Sequence, residues 1–376
     1  MNIKFIDLNK QYKKIKSSVN KDILSTLDKG DFILGDKVTE LEIKLADYVG
    51  VKECVTCASG TDAILIPLMG ENIGIGDVVF TTNFSYFATT EVISIVGATP
   101  VFVDIDKKTF NINPELLEKQ IKNVKKNSSL IPKAIIAVDI FGQLANYKKI
   151  EKIAKKYDLF LIEDAAQSFG ATNDSKKSCS FGDVAATSFY PAKPLGCYGD
   201  GGAIFTNDSK KAEIYKSIRV HGQGINKYDN IRVGLNSRLD TIQASILLNK
   251  MNIFDKELIL RKKIADYYNL NLKEYLDIPF LDEFNSSSWA QYSLLVKSKE
   301  IRSELTNYLN KNKIPIAIFY KKVFSNLTIY KNLDFNTSYE VSNDISSRIF
   351  SIPMHPYLTK KEQNKIIFTI KSFFSK

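Results

Sequence analysis

The sequence is poor in the residues that build disulfide frameworks and metal sites. Its 376 residues include four Cys, two His and one Trp. A chain held together by disulfides would carry more cysteines than this. Cys54 and Cys57 do form a C-x-x-C spacing, which also suits a redox or zinc site. They fall inside a predicted strand, however, and only His221 and His355 are available to complete a zinc ligand set. We therefore expect buried, reduced thiols and no metal.

Long apolar runs and an acidic surface are also missing. No stretch approaches the roughly 18 apolar residues of a membrane span, and the N-terminal stretch MNIKFIDLNKQYKK lacks the apolar centre of a signal peptide. We therefore expect a cytoplasmic protein with no membrane partner. Lys and Arg outnumber Asp and Glu by 52 to 42, a formal net charge of +10. Because the lysines are spread out rather than interleaved with aromatics, they favour a solvated surface that attracts anionic substrates over a nucleic-acid site.

Strands alternate with helices in the N-terminal half of the chain. Short, continuously apolar runs of this kind are typical of strands buried on both faces. The predicted strands are Cys54–Cys57, Val78–Thr81, Pro100–Asp104, Ala134–Asp139, Leu159–Glu163, Val184–Phe189 and Gly202–Thr206. The alternation predicts an α/β fold with a doubly wound, mostly parallel sheet and helices on both sides.

Helical periodicity marks the flanks of this region. The predicted helices are Gln11–Asp28, Lys37–Val49, one that starts at Asn113-Pro114, Leu239–Met251, Asp255–Leu272 and a last one opened by a capping box at Thr359–Glu362. The length suffices for a large domain and a smaller one. We place an N-terminal segment and the large domain at residues 1–249, and a smaller C-terminal α/β domain at residues 250–376.

One loop carries the strongest functional signal. Ser188–Gly202 (SFYPAKPLGCYGDGG) is too rich in Gly and Pro to continue a strand or helix, and it presents Lys193. Taken alone, a lysine is usually a solvated surface residue. Two other predicted strands end in Asp164 and in the helix-opening turn Ser59–Thr61. An amine, a buried carboxylate and a phosphate cradle are the parts of a pyridoxal phosphate site. Lys193 is therefore predicted to form a Schiff base with that cofactor.

With these residues in hand, nearly the whole chain resembles the DegT/StrS family of sugar aminotransferases. The matching segments are Ile6–Leu8, SGTDA at Ser59–Ala63, EDAAQS at Glu163–Ser168, SFYPAKPLGCYGDGGA at Ser188–Ala203, GLNSRLD at Gly234–Asp240 and PMHPYL at Pro353–Leu358. The resemblance implies the type I aminotransferase fold and ping-pong transfer of an amino group from L-glutamate to a keto nucleotide sugar. It is greatest to the branch that aminates C3 of UDP-2-acetamido-2-deoxy-3-oxo-glucuronate for bacterial O-antigen and other surface polysaccharides.

The resemblance also implies roles for cofactor residues. Lys193 would hold the cofactor covalently and move a proton, Asp164 would pair with the ring nitrogen, and Gln167 would bond the ring hydroxyl. The phosphate would be bound by Gly60, Thr61 and Ser188, and Tyr86 would stack on the ring. From the residues alone, Asp164 could instead cap a helix, the Ser-Gly-Thr turn could merely cap one, Gln167 could be an ordinary loop residue and Tyr86 a core aromatic.

A second set of residues is implied for the partner subunit and the substrate. Asn236 matches a residue that reaches the phosphate in the neighbouring subunit, which implies a homodimer with shared active sites. The substrate-side candidates are Arg238, His221, Tyr320, Lys321 and His355. Arg238 could pair with a uronate carboxylate or diphosphate, or equally form a structural ion pair. The family often has His where this chain has Phe319, and that departure removes a candidate sugar contact without touching the cofactor chemistry.

Three alternatives stay open at this point. One is a C4 aminotransferase acting on a UDP- or dTDP-4-keto-6-deoxy sugar. Another is the dehydratase minority of the family, which is disfavoured because it carries His at the position of Lys193. The third, from a different class, is a cofactor-binding regulator. A regulator would be expected to carry a DNA-binding module or lack part of the donor site, and no helix-turn-helix segment is evident outside the fold.

Overall fold

The structure, a computed structural model, describes residues 3–174, 176–226, 228–282, 284–333, 335 and 337–375. Its strands, numbered along the chain, are β1 (Glu53–Cys57), β2 (Asp77–Thr82), β3 (Thr99–Val103), β4 (Ile131–Val138), β5 (Phe160–Asp164), β6 (Thr172–Asn173), β7 (Lys176–Lys177), β8 (Val184–Ser188), β9 (Gly202–Thr206), β10 (Asn285–Ser286), β11 (Tyr292–Leu295) and β12 (Ile349–Ile352). All seven predicted strands are confirmed, with ends shifted by a few residues at most.

A seven-stranded sheet organises the part of the chain that carries the predicted site. Its spatial order is β1-β9-β8-β5-β4-β2-β3. Only β9 runs antiparallel to its neighbours β1 and β8, so the predicted mostly parallel sheet is confirmed. In register, Val138 of β4 lies beside Asp164 of β5, which lies beside Ala186 of β8. The loops that follow β1, β5 and β8 therefore leave the sheet at one edge, where open α/β sheets bind their ligands.

Helices cover this sheet and, together with the five strands outside it, build the rest of the molecule. They are α1 (Leu8–Lys29), α2 (Asp36–Val49), α3 (Gly60–Gly70), α4 (Ala88–Ile95), α5 (Pro114–Asn127), α6 (Tyr147–Tyr157), α7 (Ser209–Ile218), α8 (Thr241–Leu272), α9 (Lys299–Lys311), α10 (Glu340–Arg348) and α11 (Lys360–Phe374). Two predicted helix starts are confirmed by their caps. The Asn113 side chain accepts from two amides at the start of α5, and Thr359 and Glu362 form the predicted capping box of α11.

The prediction of two helices after Arg238 is wrong. One helix, α8, runs for 32 residues across the predicted break. The intervening residues 252–254 include neither Gly nor Pro, so nothing in the backbone requires an interruption. Phe254 is buried there, with its ring 5.9 Å from that of Tyr48 and 5.6 Å from that of Phe169. Packing of this aromatic side chain keeps the segment helical.

Helix α8 joins two hydrophobic cores. Leu247 and Phe254 pack with α2 and one face of the large sheet. Further along the helix, Ile264 and Tyr268 belong to a second core with β11, β12, α9 and α11. Ile3, near the N-terminus, also belongs to that second core. The predicted boundary between residues 249 and 250 falls inside α8 and stays a prediction.

The cysteines have the buried environment expected of them. Cys54, Cys57, Cys179 and Cys197 are all free and buried. Burial raises the pKa of the Cys54 thiol well above its ordinary value. Within the described residues, no group of three or more His, Cys, Asp or Glu side chains is placed to hold a metal ion. The same residues include no helix long and apolar enough to cross a bilayer.

Candidate active site

Three chain segments meet closely where α3 begins. A Cβ atom at Gly60 would lie 2.5 Å from the Cβ of Ser188, the last residue of β8. A Cβ at Gly202 would lie 2.3 Å from the carbonyl oxygen of Ser59. Because neither glycine carries a side chain, β8, β9 and the start of α3 can approach one another closely. Ser59 caps the helix by accepting from the Asp62 amide at 3.1 Å.

This arrangement has the chemistry of an anion cradle. The N-terminal amides of α3 carry the positive end of the helix dipole. The Ser188 hydroxyl lies on the same side, 2.9 Å from the place a Gly60 Cβ would occupy. The Thr61 hydroxyl makes no hydrogen bond to another described residue and is half-buried. Backbone amides and hydroxyls that converge on a helix start fit a phosphate group.

Asp164 is a buried carboxylate at the end of β5. Its Oδ2 accepts a hydrogen bond from Thr89 Oγ1 at 2.8 Å, and its Oδ1 accepts from the Ala166 amide at 3.2 Å. No helix begins after it, so the alternative in which Asp164 caps a helix is wrong. Burial raises the pKa of Asp164 above its ordinary value, whereas these two donors and the positive charge of Lys193 oppose that shift. A cation placed here, such as a protonated ring nitrogen, would keep the carboxylate ionised.

The loop after β8 brings Lys193 to the same region. The loop is tightly folded: the Lys193 amide donates to the Tyr190 carbonyl at 2.8 Å, and the Cys197 amide donates to the Phe189 carbonyl at 2.7 Å. Burial lowers the pKa of the Lys193 amine, and the negative charge of Asp164 works in the opposite direction. Across the described part of the chain, the amine makes no hydrogen bond or ion pair. An unengaged amine with a lowered pKa is suited to attack an aldehyde.

Gln167 is buried and held at both ends of its side-chain amide. Its Oε1 accepts from the Phe141 amide at 2.7 Å, and its Nε2 donates to Tyr320 Oη at 3.0 Å. It is therefore not an ordinary polar loop residue. Tyr320, expected on the substrate side, instead contacts a residue expected on the cofactor side.

Tyr320 lies among other aromatic side chains. The ring of Tyr320 lies 5.8 Å from that of Phe84 and 6.4 Å from that of Tyr86. Tyr86 is 61% exposed, so the alternative in which it is a core aromatic is wrong. Phe319, which stands where the family often has His, packs edge-on against Phe5 at 6.3 Å.

The remaining predicted residues lie in different environments. Asn236 and His221 are exposed, and so is Lys321. Asn236 precedes Ser237, whose Oγ donates to Asp62 in the first turn of α3 at 2.5 Å. Arg238 is half-buried and has no ion pair with any described residue. Nothing therefore supports the alternative in which Arg238 forms a structural ion pair.

His355 does not face solvent. It is 2% exposed and shares a small cavity with Lys193 and Arg261. Neither ring nitrogen has a hydrogen-bond partner among the described residues. Burial, and then the charge of Arg261, lower the pKa of His355 to about 4. His355 is thus a neutral side chain beneath the lysine loop rather than an open ligand contact.

Sequence reasoning missed Thr89. It lies in α4, is 1% exposed and contacts Asp164, a residue far from it in the chain. Its hydroxyl also lies 3.3 Å from that of Ser85, one turn earlier. The available signal was the position of both hydroxyls just after β2, at the same edge of the sheet as Asp164.

Comparison with known proteins agrees with this geometry. The DegT/DnrJ/EryC1/StrS aminotransferase family matches residues 13–371. A relative from Pseudomonas aeruginosa, UDP-2-acetamido-2-deoxy-3-oxo-D-glucuronate aminotransferase, is 45% identical over 95% of this chain and 96% of its own length.

Solved structures give the same result. The crystal structure of a DegT DnrJ EryC1 StrS aminotransferase from Brucella abortus has a TM-score of 0.97 and 47% identity, and the match covers all of both chains. The pyridoxal phosphate form of the putative sugar aminotransferase Spr1654 from Streptococcus pneumoniae has a TM-score of 0.90 and 28% identity, over 99% of this chain and 98% of the other. These similarities confirm the predicted type I fold.

Proposed function

The chain belongs to the DegT/DnrJ/EryC1/StrS aminotransferase family and is a pyridoxal phosphate-dependent transaminase, and from that premise we propose its substrates. The amino donor is L-glutamate, and the acceptor is UDP-2-acetamido-2-deoxy-3-oxo-glucuronate, aminated at C3 for bacterial surface-polysaccharide or O-antigen synthesis. The similarity to the Pseudomonas aeruginosa enzyme supports this acceptor. The observation that carries the reaction type is the convergence of the half-buried Lys193, whose amine is desolvated, and the buried Asp164 carboxylate beside the anion cradle.

The residues present fit pyridoxal phosphate. The cofactor, when bound, supplies an electron-accepting ring that stabilises a carbanion next to the transferred amino group. In the proposed site, the cradle at Gly60, Thr61 and Ser188 holds the phosphate. Asp164 keeps the ring nitrogen protonated, because a buried carboxylate strongly favours a cationic partner. Tyr86, which is exposed and whose ring lies 6.4 Å from that of Tyr320, covers the cofactor ring.

Lys193 has two tasks in this proposal. It holds the cofactor covalently, and after the amino donor displaces it, its free amine moves a proton at the reacting carbon. Both tasks need an amine that is neutral part of the time. The lowered pKa that burial gives this lysine brings that condition closer to neutral pH. The amine has no competing protein partner in the described residues, so it is free to act in both.

The substrate side is proposed from charge and exposure. Arg238, half-buried and without an ion pair among the described residues, is suited to a uronate carboxylate or a diphosphate. Lys321 and His221 are exposed and could contact the nucleotide part. His355 was predicted on the substrate side, but it is buried in this structure, and we restrict its proposed role to indirect effects.

Assembly and location complete the proposal. Asn236 is exposed in the single chain, which is expected if it reaches the cofactor phosphate of a neighbouring subunit in a homodimer. Each active site would then draw residues from two chains. We place the enzyme in the cytoplasm, where nucleotide sugars are made, with no nucleic acid or membrane partner.

One experiment distinguishes the proposed C3 aminotransferase from the two alternatives, a C4 aminotransferase and a cofactor-binding regulator. The amino form of the enzyme, prepared with L-glutamate, is incubated with 3-keto and 4-keto nucleotide sugars, and both the visible absorbance and the product masses are followed. We expect the 3-keto uronate to restore the absorbance and yield an amino sugar. Amination of only a 4-keto-6-deoxy sugar would contradict the proposed acceptor, and no turnover with any member of the panel would favour the regulator.

A further inference from the structure

Gln167 presents its amide to the site in one orientation only. Its oxygen faces the Phe141 N–H, which can only donate, at 2.7 Å. The nitrogen must therefore be the atom that faces Tyr320 Oη, at 3.0 Å. One N–H of Gln167 is used by Tyr320, and the other has no acceptor among the described residues. Gln167 thus offers a donor to a ligand.

Tyr320 is fixed as firmly as Gln167. Its ring packs against Phe84 at 5.8 Å and Phe319 at 5.7 Å. Its backbone carbonyl accepts from Ser346 Oγ at 2.8 Å. Because the ring and the backbone are both held, the hydroxyl has little freedom except rotation of its proton.

Within the part of the chain that the structure describes, the Tyr320 hydroxyl proton has no acceptor. Its oxygen accepts from Gln167, but among the described residues nothing accepts the Tyr320 O–H. The titratable groups that act on it are Asp164 and Tyr86, and Lys193 acts in turn on Asp164. Burial, with the charge of Asp164, raises the pKa of Tyr320, and the hydrogen bond from Gln167 opposes this. The phenol therefore stays a neutral donor at physiological pH.

We propose that Tyr320 is a cofactor residue: its O–H and the free N–H of Gln167 both donate to the ring oxygen of bound pyridoxal phosphate. This inference rests on the proposed role of Gln167 and moves Tyr320 from the substrate side to the cofactor side. It also means that the segment between α9 and α10, far along the chain, completes a site otherwise built by the loops of the large sheet.

Two donors at that oxygen have a measurable consequence. The ring oxygen otherwise accepts the proton of the neighbouring nitrogen that links the cofactor to Lys193. Donors from the protein stabilise the oxygen as an anion without that internal bond, so the nitrogen loses its proton at lower pH. Removing one of these donors strengthens the hydrogen bond between the nitrogen and the ring oxygen. The pH midpoint at which the nitrogen loses its proton therefore rises. A hydrogen bond to a charged group is worth enough to shift the midpoint by about one pH unit.

The test is a pH titration of the visible absorbance of the holoenzyme without any sugar. Tyr320→Phe keeps the ring and its packing and removes only the hydroxyl. The matched control is Tyr330→Phe, since Tyr330 is buried and its hydroxyl is bonded to the Ser94 hydroxyl and the Thr90 carbonyl, neither of which belongs to a proposed site residue. We expect Tyr320→Phe to raise the midpoint by about one pH unit and to lose cofactor faster on dialysis, and Tyr330→Phe to match the wild type.

Other results would overturn the inference. If Tyr320→Phe titrates like the wild type and raises only the KM for the sugar, Tyr320 is a substrate residue. A lowered midpoint would also contradict a donor role. Gln167→Leu provides a second variant, because it removes the other proposed donor and should move the midpoint in the same direction. A wild-type protein that never takes up pyridoxal phosphate would refute the proposed function itself, whereas a normal wild-type titration leaves that function standing whatever Tyr320→Phe does.

Discussion

Thr89→Val provides the most informative single change to the supporting structure of the site. The Thr89 hydroxyl donates to Asp164 Oδ2 at 2.8 Å, and the residue is only 1% exposed. Valine keeps the branched shape and removes the donor. A hydrogen bond to a charged group contributes about 1.5–3 kcal/mol. At about 1.4 kcal/mol for each factor of ten, its loss weakens cofactor affinity by about 10- to 100-fold.

The direction in which the pH dependence of cofactor affinity changes can also be predicted. Burial already raises the pKa of Asp164, and the Thr89 hydroxyl is one of the groups that oppose the shift. Removing it raises the pKa further, because the ionised form loses a donor. Asp164 then becomes neutral at a higher pH, and the affinity for pyridoxal phosphate, which needs the ionised form, is lost at a higher pH as well. The loss on acidification should therefore begin earlier in Thr89→Val than in the wild type.

The assay is a titration of the apoprotein with pyridoxal phosphate at several pH values, read from the visible absorbance. Thr89→Ser is the matched control, because it keeps a hydroxyl at the same position. We expect the serine variant to bind close to the wild type and the valine variant to bind at least tenfold more weakly. Equal affinity of the valine variant and the wild type would refute the role given to Thr89. An equal loss in both variants would show that packing of the methyl group, rather than the hydroxyl, matters.

Three further predictions concern the cradle, the neighbouring subunit and the lysine. Gly60→Ala should release cofactor faster than the wild type on dialysis, because its Cβ would lie 2.5 Å from that of Ser188. Gly74→Ala, whose Cβ would have its nearest contact at 3.4 Å, should not, and equal rates for the two variants would contradict the cradle. Asn236→Ala should weaken cofactor retention without lowering the melting temperature of the apoprotein, since its side chain is exposed, and a fully active monomer would exclude the shared site. The rate of cofactor uptake by the apoprotein should rise with pH and level off below pH 10.5, the ordinary pKa of lysine, because burial lowers the pKa of Lys193. A rate that still rises above pH 10.5 would contradict this.

Much of the fold and part of the site follow from local sequence patterns. The buried strands are continuous apolar runs, and their ends place Asp164 and Ser188 at one edge of the sheet because parallel strands share their carboxyl edge. The glycines beside them are explained by close backbone approach, as the contact between Gly60 and Ser188 illustrates. These features depend on residues that lie near each other in the chain or on the topology of the sheet.

The rest depends on contacts that no local pattern contains. The length of α8 follows from the burial of Phe254 against other elements, and a tertiary contact of this kind overrides a weak local signal. Thr89 meets Asp164 across 75 positions of the chain, and Gln167 meets Tyr320 across 153. His355 was expected at the substrate, yet it is buried beneath the lysine loop, because a Pro-rich motif does not reveal which way its loop folds.

The central claim is that one particular amine holds the cofactor. Borohydride reduction of the holoenzyme, followed by proteolysis and peptide mass mapping, fixes the cofactor to whichever amine carries it. We predict that the phosphopyridoxyl group is found on Lys193 alone and that Lys193→Ala yields no labelled peptide and no turnover. Label on another lysine, or undiminished transamination by Lys193→Ala, would contradict the account.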